Sequence, residues 1–337
     1  MKTSQLLLRL QQQQQRMVPC LERIRTIRSE VRIGSRNMSC ILVFERKRGE
    51  IRKSSLLHST HSPTHTVFAR VRPLNDREKG CGARHCIKTM SKSSLCLASN
   101  EFTFDRVLSE DSEQSEVFEH VGRNVTEACL EGYNGCIFSY GQTGSGKTFT
   151  IMGDENNSGL LPRVVKHMFE RIEEEVMSTT CKVSFLEIYN EHIFDLLADT
   201  NTTTSSSKSL DLRESKKRGV YVENLNEIPV KSVSDAMSII KRGISSRRVA
   251  ETRMNRESSR SHCVFTFVLE TCENVPESPG LTRTTTSRFH LIDLAGSERL
   301  KSTKASGTVY LPHTRTLVKQ NINTNHSHSP PLTRYAC

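Results

Sequence analysis

The chain has 337 residues, a formal net charge of +11, 35% hydrophobic residues and a mean hydropathy of −0.48. That length allows one large α/β domain with a buried core, or two ordinary ones, and no apolar run approaches the roughly 20 residues of a membrane-spanning helix. The charge lies in the flanks, with 13 Lys and Arg against 4 Asp and Glu in residues 1–66 and 3 against none in 305–337, so the near-neutral middle gives no argument for nucleic acid.

The 11 cysteines are scattered, and the closest pair, Cys81 and Cys86, is too far apart for a C-x-x-C zinc or redox motif. They read as reduced thiols of a cytosolic protein. Residues 1–65 read as a basic, poorly ordered extension. It opens on Leu6 to Leu10 and the glutamines Gln11 to Gln15, and is almost free of acids until Glu22, a composition shared with mitochondrial presequences. Its later part, residues 30–64, shows no sustained period and reads as a linker.

From Thr66 the texture changes. Val67-Phe68-Ala69-Arg70-Val71-Arg72-Pro73 is a short strand closed by proline, and Phe102 to Asp105 is another brief alternating run. Asp111-Ser112-Glu113-Gln114 has the form of a capping box, opening a helix with Val117, Phe118, Val121 and Val125 on one face and an end near Gly132. Cys136 to Tyr140 reads as a buried strand running into a glycine-rich loop. Further strands are predicted at Cys181 to Tyr189, His262 to Glu270 and Ser287 to Leu294, with a helix over Val233 to Arg242. Thr200 to Ser209 and Cys272 to Thr286 read as polar loops. Alternating strands and helices indicate an α/β layered domain with a central sheet. No heptad run or internal repeat occurs, so no coiled coil and no homodimer are predicted.

Gly141-Gln142-Thr143-Gly144-Ser145-Gly146-Lys147-Thr148 satisfies the pattern G-x-x-x-x-G-K-[ST]. Glycines let the backbone wrap so that its N–H groups face phosphate oxygens, and the following helix adds its positive end. In this pattern Lys147 reaches the β- and γ-phosphates and Thr148 is a Mg²⁺ ligand. Two further clusters follow in the same domain: Asn255-Arg256-Glu257-Ser258-Ser259-Arg260-Ser261-His262, and Asp293-Leu294-Ala295-Gly296-Ser297-Glu298 at the end of an apolar strand. A carboxylate at a strand end beside a phosphate loop is where Mg²⁺ needs a second anchor. No Asn-Lys-x-Asp guanine clamp is present.

These motifs, with Arg70-Val71-Arg72-Pro73, Tyr133-Asn134-Gly135 and Phe185-Leu186-Glu187-Ile188-Tyr189-Asn190-Glu191, resemble the kinesin motor domain over roughly Thr66 to Gly307. The resemblance implies a P-loop NTPase-type central sheet, mostly parallel or mixed, sandwiched by helices, and an ATPase that moves on microtubules in the cytoplasm. It implies that Arg70, Arg72, Pro73 and Phe149 hold the adenine and ribose end. Ser258 would meet the γ-phosphate and attacking water, while Ser259 joins Thr148 on Mg²⁺. Asp293 would bind a magnesium water, the Gly296 N–H would sense the γ-phosphate, and Arg260 with Glu298 would form a closing salt bridge. Lys216, Lys217 and Arg218, and Arg299, Lys301 and Lys304, are the candidate microtubule contacts.

After Glu298 the family pattern continues into a relay helix, a tubulin-binding helix and another sheet strand. This chain departs from that pattern near Gly307, and Thr308 to Cys337, with Pro312, Pro330 and Pro331 and many His, Asn and Ser, reads as a divergent, disordered tail. A sheet short of a strand is expected to expose apolar surface. Two readings therefore stand: a microtubule-stimulated motor ATPase, and a non-motile fragment that only binds nucleotide or tubulin, its unlike ends reflecting an aberrant transcript or gene model.

Overall fold

The computed structural model describes residues 38–46, 65–97, 100–174, 178–198, 209–215, 219–254, 258–274 and 282–297, with the backbone alone at 38–46, 65, 219, 250–254, 258 and 273–274. Glu298, both basic groups, Asn255 to Glu257 and the tail from 308 lie outside these residues.

Strand β1 (Met38–Arg46) comes first, and β2 (His65–Val71) ends just before Pro73 as predicted. The short helix α1 (Asp76–Gly80) carries a capping box: Asn75 Oδ1 accepts from the Glu78 N–H at 2.9 Å, and Glu78 Oε2 from the Asn75 N–H at 2.9 Å. β3 (Ile87–Thr89), β4 (Ser94–Leu97) and β5 (Asn100–Thr103) form a small antiparallel sheet, and β6 (Arg106–Leu108) returns to β2. The box predicted at Asp111 to Gln114 does not form. Helix α2 (Gln114–Val117) starts after Glu113, which makes no side-chain cap, and passes through a π-helical turn (Phe118–Gly122) into α3 (Arg123–Leu130).

β7 (Asn134–Gly141) feeds the phosphate loop and α4 (Lys147–Ile151). Helix α5 (Leu160–Glu174), absent from the sequence prediction, buries Leu160, Leu161, Val164, Val165, Met168 and Phe169, an i, i+4, i+8 stripe. β8 (Ser178–Tyr189) and β9 (His192–Asp195) join through Asn190 and Glu191, both left-handed at φ 47° and 64°, as a tight two-residue hairpin requires. β10 (Leu212–Ser215) and β11 (Gly219–Val222) form a hairpin, and β12 (Ile228–Val230) precedes α6 (Val233–Met254). A 3₁₀ turn, Ser258–Arg260, then leads into β13 (His262–Asn274) and β14 (Thr282–Asp293). The last two pair from Cys263↔Asp293 to Asn274↔Thr282, so strand replaces part of the loop predicted over Cys272 to Thr286. Thr282, Thr284, Thr285 and Thr286 are polar yet β-branched, and a pleated ladder suits them.

The main sheet runs β12-β8-β13-β14-β7-β1-β2-β6, with β9 beside β8. It is mixed: β14–β7 and β2–β6 are parallel, and the other pairs antiparallel. Helices α2, α3, α5 and α6 and Ile151 of α4 cover one face, burying Phe185, Phe265, Phe267 and Phe289. Among the described residues the opposite face is covered by Leu95, Leu97 and Phe102 of the small sheet and by partly buried Leu212, Val220 and Val222 of the β10–β11 hairpin. Within this sheet β1 lies between β7 and β2. The stretch predicted as linker thus contributes a strand, because Cys40 to Phe44 is an unbroken apolar run.

Helix α6 approaches β8 closely at Gly243, where a Cβ would sit 2.3 Å from Phe185 Cδ1 and 3.3 Å from Leu197 Cδ2. Phe185 cannot retreat, being fully buried and packed edge-to-face on Phe265 at 5.4 Å. Gly243→Ala is expected to destabilise the fold by about 1–2 kcal/mol in denaturant unfolding, overpacking outweighing the gain in helix propensity.

Candidate functional site

The phosphate loop hangs between β7 and α4. Gly144 and Gly146 take φ of 80° and 90°, conformations that cost a side-chain-bearing residue free energy, and a Cβ on Gly144 would meet nothing within 4 Å. The Ser145 N–H donates to Gln142 O at 3.1 Å, and the Lys147 ammonium donates to the same carbonyl at 2.9 Å. Lys147 is only 7% exposed, so its charge is largely held out of water. Ser145 Oγ is buried without a hydrogen-bond partner.

Arg72 braces the loop from outside. Its Nε donates to Gly144 O at 2.6 Å, Nη1 to Pro73 O at 2.8 Å, and the guanidinium grips Glu78 through both carboxylate oxygens at 2.6 and 2.8 Å. Arg70 is buried, donating through Nη1 to Gln114 Oε1 and to Thr150 Oγ1, both at 2.8 Å, with its guanidinium carbon 5.4 Å from the Phe149 ring centroid. Burial pushes its pKa down to about 10, which still leaves it charged at neutral pH. Phe149 stays 38% exposed, its ring open to solvent at the rim.

Two strand ends meet the loop. Asp293, at the end of β14, is buried and accepts from Thr148 Oγ1 at 2.6 Å and from Ser139 Oγ at 3.2 Å. The segment after it is latched by successive backbone donors. Leu294 N–H reaches Ser139 O at 3.4 Å, Ala295 N–H reaches His262 Nδ1 at 3.1 Å, Gly296 N–H reaches Ser259 O at 2.7 Å, and Ser297 N–H reaches Gly141 O at 3.0 Å. The Gly296 N–H thus points at the 3₁₀ turn, joining the two distant clusters directly. Ser259 lines the cavity, Arg260 is exposed in the same turn, and Ser258 is described by its backbone.

A cavity of about 300 Å³ results, lined by Thr143, Gly144, Gly146, Lys147, Thr148, Phe149, Ser259, Asp293 and Leu294. Thr148, Ser259 and Asp293, the predicted metal residues, all reach it. Among the described residues no group of three His, Cys, Asp or Glu could hold a metal alone. Two hydroxyls and one carboxylate instead suit a hard cation that keeps waters and phosphate oxygens as its other ligands. The Arg260–Glu298 pair lies outside the described residues, because Glu298 does.

A profile of the kinesin motor domain matches residues 70–325. The chain belongs to the kinesin family. The match runs past Gly307 and takes in Asn321-Ile322-Asn323, so the likeness extends further than the motifs alone suggest. The kinesin-like protein KIN-12A of Arabidopsis thaliana is 45% identical over 259 residues, covering 72% of this chain and 19% of that protein. The kinesin-like protein KIF15 of Homo sapiens is 44% identical over 260 residues, covering 72% and 18%. The chain thus spans less than a fifth of the length of these relatives. A solved structure of a fast kinesin, described for its ATPase mechanism and interactions with microtubules, aligns at a TM-score of 0.64 with 36% identity. That alignment covers 71% of this chain and 67% of that one.

Motif spacing alone does not reveal two residues of this kinesin site. Gln114 is 5% exposed and bridges Arg70 to the Phe149 carbonyl, its Nε2 donating at 2.6 Å. Arg247 of α6 is 8% exposed and donates to Ser261 Oγ at 3.1 Å and Glu187 Oε1 at 3.4 Å. A glutamine at a helix start and an arginine in a basic helix carry no local signal of either role.

His262 Nδ1 accepts the Ala295 N–H and must be unprotonated to do so. Burial, helped by the Lys147 charge, pushes its pKa down to about 4, and burial does the same to His290, which pairs with Thr266 Oγ1 at 2.9 Å. Between pH 4 and 6.5 the unfolded chain therefore binds more protons at these rings than the folded one. Their contribution to stability is fully present above about pH 6.5 and is lost as pH falls toward 4, on the order of 2–3 kcal/mol per ring. Denaturant midpoints across that window should fall accordingly, and His262→Asn with His290→Asn should flatten the curve.

Proposed function

We propose that this kinesin domain binds Mg·ATP, hydrolyses it, and couples the reaction to movement on microtubules of the cytoskeleton. The observation that supports this reading most is the direct hydrogen bonding between segments far apart in the chain. Thr148 of the phosphate loop meets Asp293, and Gly296 meets Ser259, around one cavity.

In this reading Gly141, Gln142, Thr143, Gly144, Ser145 and Gly146 cradle the phosphates, and Lys147 gives its buried charge to their β- and γ-oxygens. The unpartnered Ser145 Oγ is a ready donor toward the same anions. Thr148 and Ser259 would hold Mg²⁺ through their hydroxyls and Asp293 through a water, and the cation, when bound, would supply positive charge beside the phosphate oxygens. Phe149, stiffened by Arg70, offers a face for the base, while Arg72 and Pro73 wall the ribose side. Ser258 and Arg260 position the attacking water with Glu298.

The Gly296 N–H is satisfied by Ser259 O at 2.7 Å, so contact with a γ-phosphate would require it to change partner. That exchange is the kind of two-position contact through which a phosphate can be sensed. The test is ATP turnover by the purified chain with and without polymerised tubulin. Strong stimulation supports the motor reading, whereas Mg²⁺-dependent nucleotide binding without turnover leaves a nucleotide- or tubulin-binding module.

A further inference from the structure

An interior strand of the main sheet comes from outside the stretch that the kinesin profile matches. β1 is Met38–Arg46, and the match begins at residue 70. β1 pairs along its length on both sides, from Met38↔Val71 to Phe44↔His65 with β2, and from Ser39↔Gly141 to Arg46↔Asn134 with β7. Among the described residues, β2 and β6 join the rest of the sheet only through it.

The flanking strands are apolar toward both layers. Phe68 of β2 and Ile137 of β7 belong to the helix-covered core, while Val67, Ala69, Val71 and Phe138 belong to the opposite one. A continuous apolar run, not an alternating one, is the pattern that suits a strand between two such neighbours. Cys40-Ile41-Leu42-Val43-Phe44 is such a run. Ser39 is in register with Gly141, which opens the phosphate loop, and with Arg70 on the other side. One residue of β1 thus stands between the two strand ends that carry the loop and the Arg70–Arg72 wall.

We propose that Met38–Arg46 is a positioning strand for the nucleotide site: the N-terminal segment completes the motor sheet and sets the spacing between the phosphate loop and Arg70 and Arg72. Leu42→Pro removes a ladder donor from a central strand. It should lower both Tm and Mg·ADP affinity in the full-length chain, the latter by about tenfold or more, while Gln13→Pro changes neither.

The strand's place is tested separately. Phe44 is the register partner of Cys136. Antiparallel partners have Cα atoms about 4.5–5.5 Å apart, inside the 4.4–6.8 Å span of a disulfide. The Phe44→Cys chain treated with diamide, which takes up the two thiol protons and two electrons, should give a 44–136 linkage as its main new cross-link by peptide mapping. A Leu6→Cys chain should give none to Cys136. A 44–136 link no more frequent than the Leu6→Cys background would overturn the strand's placement. The link together with unchanged ADP affinity in Leu42→Pro would overturn its positioning role. Should Leu42→Pro not fold, Val43→Gly, a milder weakening of the strand, is read by the same two criteria. The affinity readout rests on the nucleotide reading, and the cross-link does not. Failure of the unsubstituted chain to bind ADP while the link still forms would reject the nucleotide reading and leave the strand in place.

Discussion

Replacing Lys147 by alanine is expected to weaken Mg·ADP and Mg·ATP binding about a hundredfold, the loss of a charge-assisted contact worth about 3 kcal/mol. The ammonium is 7% exposed and donates to Gln142 O at 2.9 Å, so it is already largely desolvated before a phosphate arrives. Its interaction with an anion there is less screened than at a surface lysine. The same substitution removes a buried cation, so folding stability without nucleotide should hold or rise. A second readout needs no nucleotide. Lys147 helps to depress the His262 pKa, so the ring should titrate at higher pH in Lys147→Ala, which an NMR titration of the histidines can follow. Unchanged affinity in a protein whose His262 does shift would remove the phosphate role from Lys147 without questioning its position.

The phosphate loop and the two strand-end clusters could be read from the sequence because each depends on local demands. Gly144 and Gly146 sit where only glycine is comfortable, and Asp293 stands where an apolar strand stops. Features set by tertiary partners could not be read in the same way. Gln114 lies at the foot of a helix whose predicted capping box fails, since the residue is recruited by Arg70 and Phe149. The true box, Asn75 with Glu78, belongs to a one-turn helix with no buried residue, too short to show a period. β1 has a different cause: its apolar run has neither a period of two nor of 3.6, and lies in a basic stretch that reads as linker. Its strand character appears only once β2 and β7 present two flanking edges. The threonines of β13 and β14 illustrate the converse, where composition suggests a loop and pairing over twelve register positions yields strand.

Arg247→Met is expected to cost about 3–5 kcal/mol, a large share of the roughly 5–15 kcal/mol that holds a typical domain folded. The Glu187 side chain is fully buried on β8, with the Arg247 guanidinium 3.4 Å away. Losing the cation leaves the buried carboxylate without its compensating charge, whereas losing both charges does not. Arg247→Met combined with Glu187→Met should therefore recover most of the stability, a positive coupling that denaturant unfolding of the four-member cycle would measure. Nucleotide affinity should behave differently. Arg247 also holds Ser261 Oγ at 3.1 Å, and Ser261 follows the 3₁₀ turn whose Ser259 carbonyl receives the Gly296 N–H. A stable double variant lacks that tie, so it should fold and yet bind Mg·ATP more weakly than the native chain. Recovery of stability and affinity together would mean that Arg247 acts on the core alone, while recovery of neither would mean that its other partners, not Glu187, carry the cost.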